Sequence, residues 1–148
     1  MPSATLNIVH ISRASWLESH FIHVFGYENG DCQPTPNSGL LAQLIGNGQV
    51  NGRQIVAERP VHIMMEMWSE RSAGATHNEV GVCTRQLRLV PATGVTYQIE
   101  VTGWMAECEM TLTRADGALT LEATPTDFSE SCSGMLMHAR EQARRQKG

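Results

Sequence analysis

The chain has 148 residues, of which 41% are hydrophobic and 18% charged, with a formal net charge of −4. Those values describe one folded domain with a core of its own and exclude extended disorder or two independent domains. They also point away from a nucleic-acid binder, whose domain carries a basic excess, and no apolar run reaches the roughly 18–20 residues of a membrane-spanning helix.

Taken in chain order, residues 1–6 carry neither the basic nor the apolar region of a signal peptide, so an exported form is read as a mature chain with an added Met. Residues 6–11 and 21–27 are β-rich runs, joined by a stretch at 12–20 that suits a turn or one helical turn. Glu28, Asn29, Gly30 and Asp31 close the second run, and a loop of turn formers follows at 33–39. A short apolar piece at 40–45 ends in Gly46, Asn47 and Gly48. Two more strands are expected at 53–57 and 61–68, around Pro60, with a loop at 69–78.

From residue 82 onward, period-2 alternation dominates. Cys83, Leu87 and Leu89 share one face and Thr84, Gln86 and Arg88 the other, with Arg85 as the one intruder on the inward side. After a turn at Pro91, Ala92, Thr93 and Gly94, the strand at 95–101 alternates most clearly, and Gly103 marks a break or bulge. Cys108, Met110 and Leu112 face inward on a strand at 107–113. Asp116 and Gly117 then separate it from Leu119 and Leu121 with the signature of a hairpin. Seven or eight short strands with turns between them predict an all-β antiparallel sandwich, a single domain over 1–148. Residues 134–147, rich in Met, Ala, Gln and Arg, predict a C-terminal helical tail. Arg140, Arg144, Arg145 and Lys147 complement a helix dipole there and also offer a docking charge for an acidic partner or anionic headgroups.

Cys32, Cys83, Cys108 and Cys132 lack the close Cys/His spacing of a structural zinc site. Their even count and wide spacing fit two disulfides in an oxidising compartment, with three connectivities open and four buried thiols as the alternative. Cys83 and Cys108 lie on the inward face of strands that flank the one at 95–101 in sequence, which places them to bridge across the core. Such a bridge contributes about 3–3.5 kcal/mol on the chain-entropy model. Cys32 and Cys132 would then pair by elimination.

The run from Cys83 through Thr84, Arg85, Gln86, Leu87, Arg88, Leu89 and Val90 to Pro91, Gly94 and Tyr97, and on to Cys108, resembles small Gram-negative cell-envelope lipoproteins of unassigned function. Glu58, Arg59, Pro60 and Val61, leading into an apolar strand, are similar in layout. The resemblance covers about half of the chain. It implies a periplasmic β-sandwich with a Cys83–Cys108 disulfide and no enzymatic activity. The N-terminal lipidation cysteine of that pattern is not present in this sequence.

Chemistry-bearing motifs are sparse. No Gly-x-Ser-x-Gly elbow occurs, Ser131 and Ser133 have no base beside them in sequence, and Gly46, Asn47 and Gly48 lack the Lys-Ser/Thr of a phosphate loop. Glu100, Glu107, Glu109 and Glu122 sit on polar strand parity, as on a solvated sheet face. His62, Met64, Met65 and Met67, with Met135, Met137 and His138 further on, are the residue types that hold Cu(I), and they are equally ordinary as core or contact residues. His10, His20, His23 and His77 are scattered. His23 shares parity with Phe21 and Phe25, as a core or edge residue does.

The expectation is therefore a non-enzymatic, exported binding or assembly module acting on a protein partner in an envelope complex, periplasmic or associated with the outer membrane surface. No cofactor, nucleic acid or small-molecule substrate is called for. Met64, Met65 and Trp68, with Arg140, Arg144 and Arg145, are the expected contact residues. A Cu(I) site at His62, Met64, Met65 and Met67 is the alternative, and a hydrolase using surface carboxylates a third reading.

Overall fold

A computed structural model of the chain describes residues 2–11, 18–28, 35–46, 48–72, 78–104, 107–118, 120 and 123–126. They form nine strands: β1 (Ser3–His10), β2 (Glu18–Tyr27), β3 (Gly39–Ile45), β4 (Gln49–Val56), β5 (Val61–Ser72), β6 (Asn78–Leu89), β7 (Thr96–Trp104), β8 (Glu107–Arg114) and β9 (Ala123–Thr126). One sheet runs β4-β1-β7-β8 and the other β3-β2-β5-β6-β9. All neighbours are antiparallel except β1 and β7, which are parallel. A parallel pair needs a crossover, and here the chain builds β2 to β6 between its two members.

Alternation explains how the sheets meet. Ala4, Leu6 and Ile8 of β1 and Tyr97, Ile99 and Val101 of β7 project from one sheet, while Ile22 and Val24 of β2 and Val61, Ile63, Met65 and Met67 of β5 project from the other. All are buried in a single cluster between the layers. Each fully buried side chain of this size contributes about 1.5–3 kcal/mol relative to exposure, so this shared interior holds the two layers face to face.

Both flanks are tied. On one, Cys83 of β6 and Cys108 of β8 form a disulfide between the sheets, with Cα atoms 6.0 Å apart. Gly103, opposite Cys108 in register, makes the approach possible: its φ is +133°, and a Cβ there would lie 2.4 Å from the Cys108 Cα. On the other flank, the buried Asn37 amide donates to the Val56 carbonyl at 2.9 Å and accepts from the Val56 N–H at 2.8 Å, closing β3 against β4 like a strand bridge.

Several expectations are corrected. β5 and β6 extend to Ser72 and back to Asn78, into the loop expected at 69–78, because the polar residues there continue the ladder: Ser69 pairs with His20 and Gly81, and Glu70 with Ser19 and Val80. Asp116 and Gly117 do form a turn after β8, with the Gly117 N–H on the Arg114 carbonyl at 3.0 Å. The residues expected to complete a hairpin, Leu119 and Leu121, lie outside the described residues, and the next described strand, β9, belongs to the other sheet and pairs with β6 at residues 86–89. The expected Cys83–Cys108 bridge across the core is present, and it joins the two layers, since β6 and β8 belong to different sheets. The expected helix at 134–148, and with it Arg140, Arg144 and Arg145, lies outside the described residues, as do Cys32, Cys132, Met135, Met137, His138, Leu119 and Leu121.

Candidate functional site

The two ends of this sandwich-like fold differ. At the end where β2 finishes and β5 starts, polar groups are stitched to one another. Arg59 pairs with the Glu28 carboxylate at 2.6 Å. Glu58, in the left-handed region at φ 65°, accepts from both the N–H and the hydroxyl of Thr93 at 2.9 Å. Those two bonds hold its carboxyl below the usual range. The Tyr97 hydroxyl accepts from the Ala92 N–H at 2.9 Å.

The opposite end carries the apolar exposure. Ile11, Ile45, Trp68, Val80 and Val82, the exposed large hydrophobic side chains among the described residues, all lie there. Four strands contribute to one row on the outer face of the larger sheet. Ile45 of β3 is opposite Phe21 of β2, Phe21 is opposite Trp68 of β5, and Trp68 is opposite Val82 of β6. Ile45 is 57% exposed, Trp68 38% and Val82 42%, and Phe21 is half-buried. Val80, 59% exposed, stands beside this row on the same face of β6. Since strand neighbours on one face lie about 4.5–5.5 Å apart, the row is a contiguous apolar strip. The Trp68 indole N–H donates to the buried Glu66 carboxylate, which fixes the ring's orientation on the face.

Around the same end, a cleft of about 810 Å³ opens between the sheets beside the disulfide, lined by Ile11, Arg85, Thr102, Gly103, Glu107 and Glu109. Arg85 keeps the inward parity that made it an intruder in the alternation, yet it is exposed. Among the described residues, β9 pairs with β6 only as far as Gln86, the neighbour of Arg85. The Arg85 guanidinium donates to the Thr84 carbonyl at 2.8 Å.

Deeper in, the fold brings together two imidazoles that are ten residues apart in sequence. His10 of β1 and His20 of β2 are both buried, with ring centroids 5.3 Å apart. His10 Nδ1–H donates to the Gly46 carbonyl, which fixes its tautomer, and His20 Nδ1 is hydrogen-bonded to the Ser69 hydroxyl at 3.2 Å. Burial lowers the pKa of His10 below 6.5, more than the Gly46 bond raises it. Sequence reasoning missed this pair because nothing local indicates which strand of one sheet lies over which strand of the other.

The expected contact and copper residues are redistributed. Met65 and Met67 are fully buried between the sheets, and Met64 is buried on the opposite face of β5 against Phe25 and Leu40. Met64 and Met65 therefore do not form a contact surface; of the three expected contact residues on β5, Trp68 alone is exposed. The Cu(I) set is divided by β5, with His62 and Met64 projecting from one face and Met65 and Met67 from the other, so the four do not converge on one point. His62 stacks on Tyr27 at 4.7 Å, and burial together with the nearby Arg88 charge lowers its pKa. Among the described residues, no group of three or more His, Cys, Asp or Glu is arranged to hold a metal ion. Among the described residues, no helix is long and apolar enough to cross a membrane. The Cys83–Cys108 bond fits an oxidising, exported compartment.

No protein-family model, curated protein or solved structure matches the chain.

Proposed function

We propose that this protein is a non-enzymatic, exported binding module of the bacterial cell envelope, working through contact with another protein at the apolar end of its larger sheet. The observation that carries this reading is the in-register row of Ile45, Phe21, Trp68 and Val82, contributed by four strands to one outer face. Exposed apolar side chains scattered singly need no explanation, whereas a contiguous strip of them is a feature of interaction sites. Trp68 is suited to anchor such a contact, because a large ring with a satisfied polar tip buries much area at low cost in side-chain entropy. Periplasmic residence is supported by the disulfide and by the resemblance of the segment from Cys83 to Cys108.

Photo-crosslinking tests the reading. A photoreactive phenylalanine analogue replaces Trp68 in one variant and Thr111, on the polar face of β8, in another, and each is irradiated in intact envelopes. An adduct with one defined partner protein from position 68 and none from position 111 is the expected result. Equal crosslinking from both positions, or none from position 68, would contradict a contact surface at this row.

A further inference from the structure

We infer that the larger sheet carries an oxyanion site on its outer face, at the stitched end, where Arg88, His62 and Thr124 hold a phosphoryl group. The inference goes beyond the proposed protein contact at the other end of that face and does not depend on it.

Strand register brings these groups together. Tyr27 of β2 is opposite His62 of β5, His62 is opposite Arg88 of β6, and Arg88 is opposite Thr124 of β9. His62 shares the outer face of β5 with Met64, and opposed residues share a face, so all four side chains stand on one side of the sheet. Arg88 and Thr124 are exposed, His62 is half-buried, and Tyr27 is buried beneath the stacked imidazole. Opposed Cβ atoms lie about 4.5–5.5 Å apart, so a group seated on Arg88 has an imidazole on one side and a hydroxyl on the other. The charge of this row is uncompensated. Among the described residues, Arg88 has neither an ion pair nor a hydrogen bond, and the Thr124 hydroxyl has no hydrogen bond. The acids of this end are committed elsewhere, Glu28 to Arg59 and Glu58 to Thr93, while Glu66, further along the same face of β5, receives the Trp68 indole.

His62 is held ready to donate outward. Its ring lies at 14° to that of Tyr27, which fixes the orientation, and its buried Nδ1 has no hydrogen-bond partner, so Nε2 is the nitrogen left to meet a ligand. A neutral imidazole protonated at Nε2 donates one hydrogen bond there. Placing an arginine directly opposite a histidine sets two potential cations side by side, which costs stability in a sheet, and the Arg88 charge does lower the His62 pKa. An anion between them removes that conflict. The number of donors selects its class. The two parallel N–H bonds of an arginine fork fill a carboxylate, which would leave the imidazole and the hydroxyl without acceptors. A phosphoryl group presents three strong acceptor oxygens, enough for the Arg88 fork and for His62 and Thr124 at its flanks.

Titration of the oxidised full chain with inorganic phosphate, at fixed pH and ionic strength, is the test, read from the imidazole NMR signals of His62 and compared with acetate. Phosphate is expected to shift those signals saturably with a dissociation constant below about 10 mM, and acetate to bind about tenfold more weakly. Arg88→Gln should weaken phosphate by about tenfold or more and Thr124→Val by about threefold. Both positions are exposed, and far-UV circular dichroism verifies that each variant is folded. Glycerol phosphate in solution and phosphatidylcholine vesicles carrying phosphatidic acid separate the two sources of the group: binding of the free ester alone assigns a soluble ligand, and binding to the vesicles assigns a lipid headgroup. The absence of a saturable shift up to about 50 mM phosphate overturns the proposal. So does a shift that Arg88→Gln leaves unchanged, equal affinity for acetate, or binding of inorganic phosphate with neither ester.

Discussion

His10 ends β1 with its ring buried, Nδ1 donating to the Gly46 carbonyl and the ring packed against that of His20. Burial lowers the pKa of this imidazole below the ordinary 6.5 in spite of the Gly46 bond, which works the other way; His62 follows the same direction, through burial first and the Arg88 charge second. The unfolded chain then binds protons at these rings before the folded chain does. Their neutral form is therefore no liability above the unfolded value, and stability falls as pH drops through about 6.5 toward the lowered folded values. Urea unfolding midpoints should be constant between about pH 7.5 and 8.5 and decline by about pH 5.5, and His10→Gln should reduce that decline. A midpoint that rises on acidification, or a decline unchanged by the substitution, would assign the pH response to other groups. At this scale the sequence is legible in part. The alternation from residue 95 to 101 reads directly onto buried and exposed positions, and parity alone sends Met64 and Met65 to opposite faces of their strand, whereas the burial of Met64 against Phe25 and Leu40 depends on the fold. Arg85 is visible as an exception in the sequence; that it borders a cleft depends on how the two sheets meet.

At the scale of elements, the inter-sheet disulfide is the feature that local pattern and fold share. Inward parity of Cys83 and Cys108 was sufficient to place both sulfurs on the core side, because parity survives whichever sheet a strand joins. Strand partnership was not legible. Asp116 and Gly117 announce a turn, but the two leucines after it carry no information about which edge the chain joins next, and β9 goes to β6. The parallel pairing of β1 with β7 is beyond local pattern for the same reason. The disulfide closes a sequence separation of 25 residues, so its loss should release unfolded-chain entropy worth about 3–3.5 kcal/mol. For a domain of this size, the Cys83→Ala, Cys108→Ala double variant should melt roughly 10 °C lower than the oxidised parent. A difference of only about 2 °C would mean that this tie constrains little in the unfolded chain.

Across the whole molecule the polarity of the two ends is the organising fact. One end is stitched by the Glu28–Arg59 pair, the Glu58–Thr93 bonds and the Asn37 bridge, each joining segments far apart in sequence. The other end leaves Ile11, Ile45, Trp68, Val80 and Val82 in contact with water. Composition and turn spacing sufficed for a two-layer all-β fold, but this asymmetry was hidden, because Ile45, Phe21, Trp68 and Val82 are distant in sequence and become neighbours only through three strand registers. If the row exists for contact and not for folding, polar replacement should separate the two properties. The most direct measurement is of unfolding free energy and association in parallel for the double variant Ile45→Thr, Val82→Thr, which keeps β-branched side chains on both strands. The account predicts a stability within about 0.5 kcal/mol per site of the parent, together with loss of the partner adduct formed at Trp68. A loss of several kcal/mol with the adduct retained would show that the row serves the fold, and would contradict the contact surface.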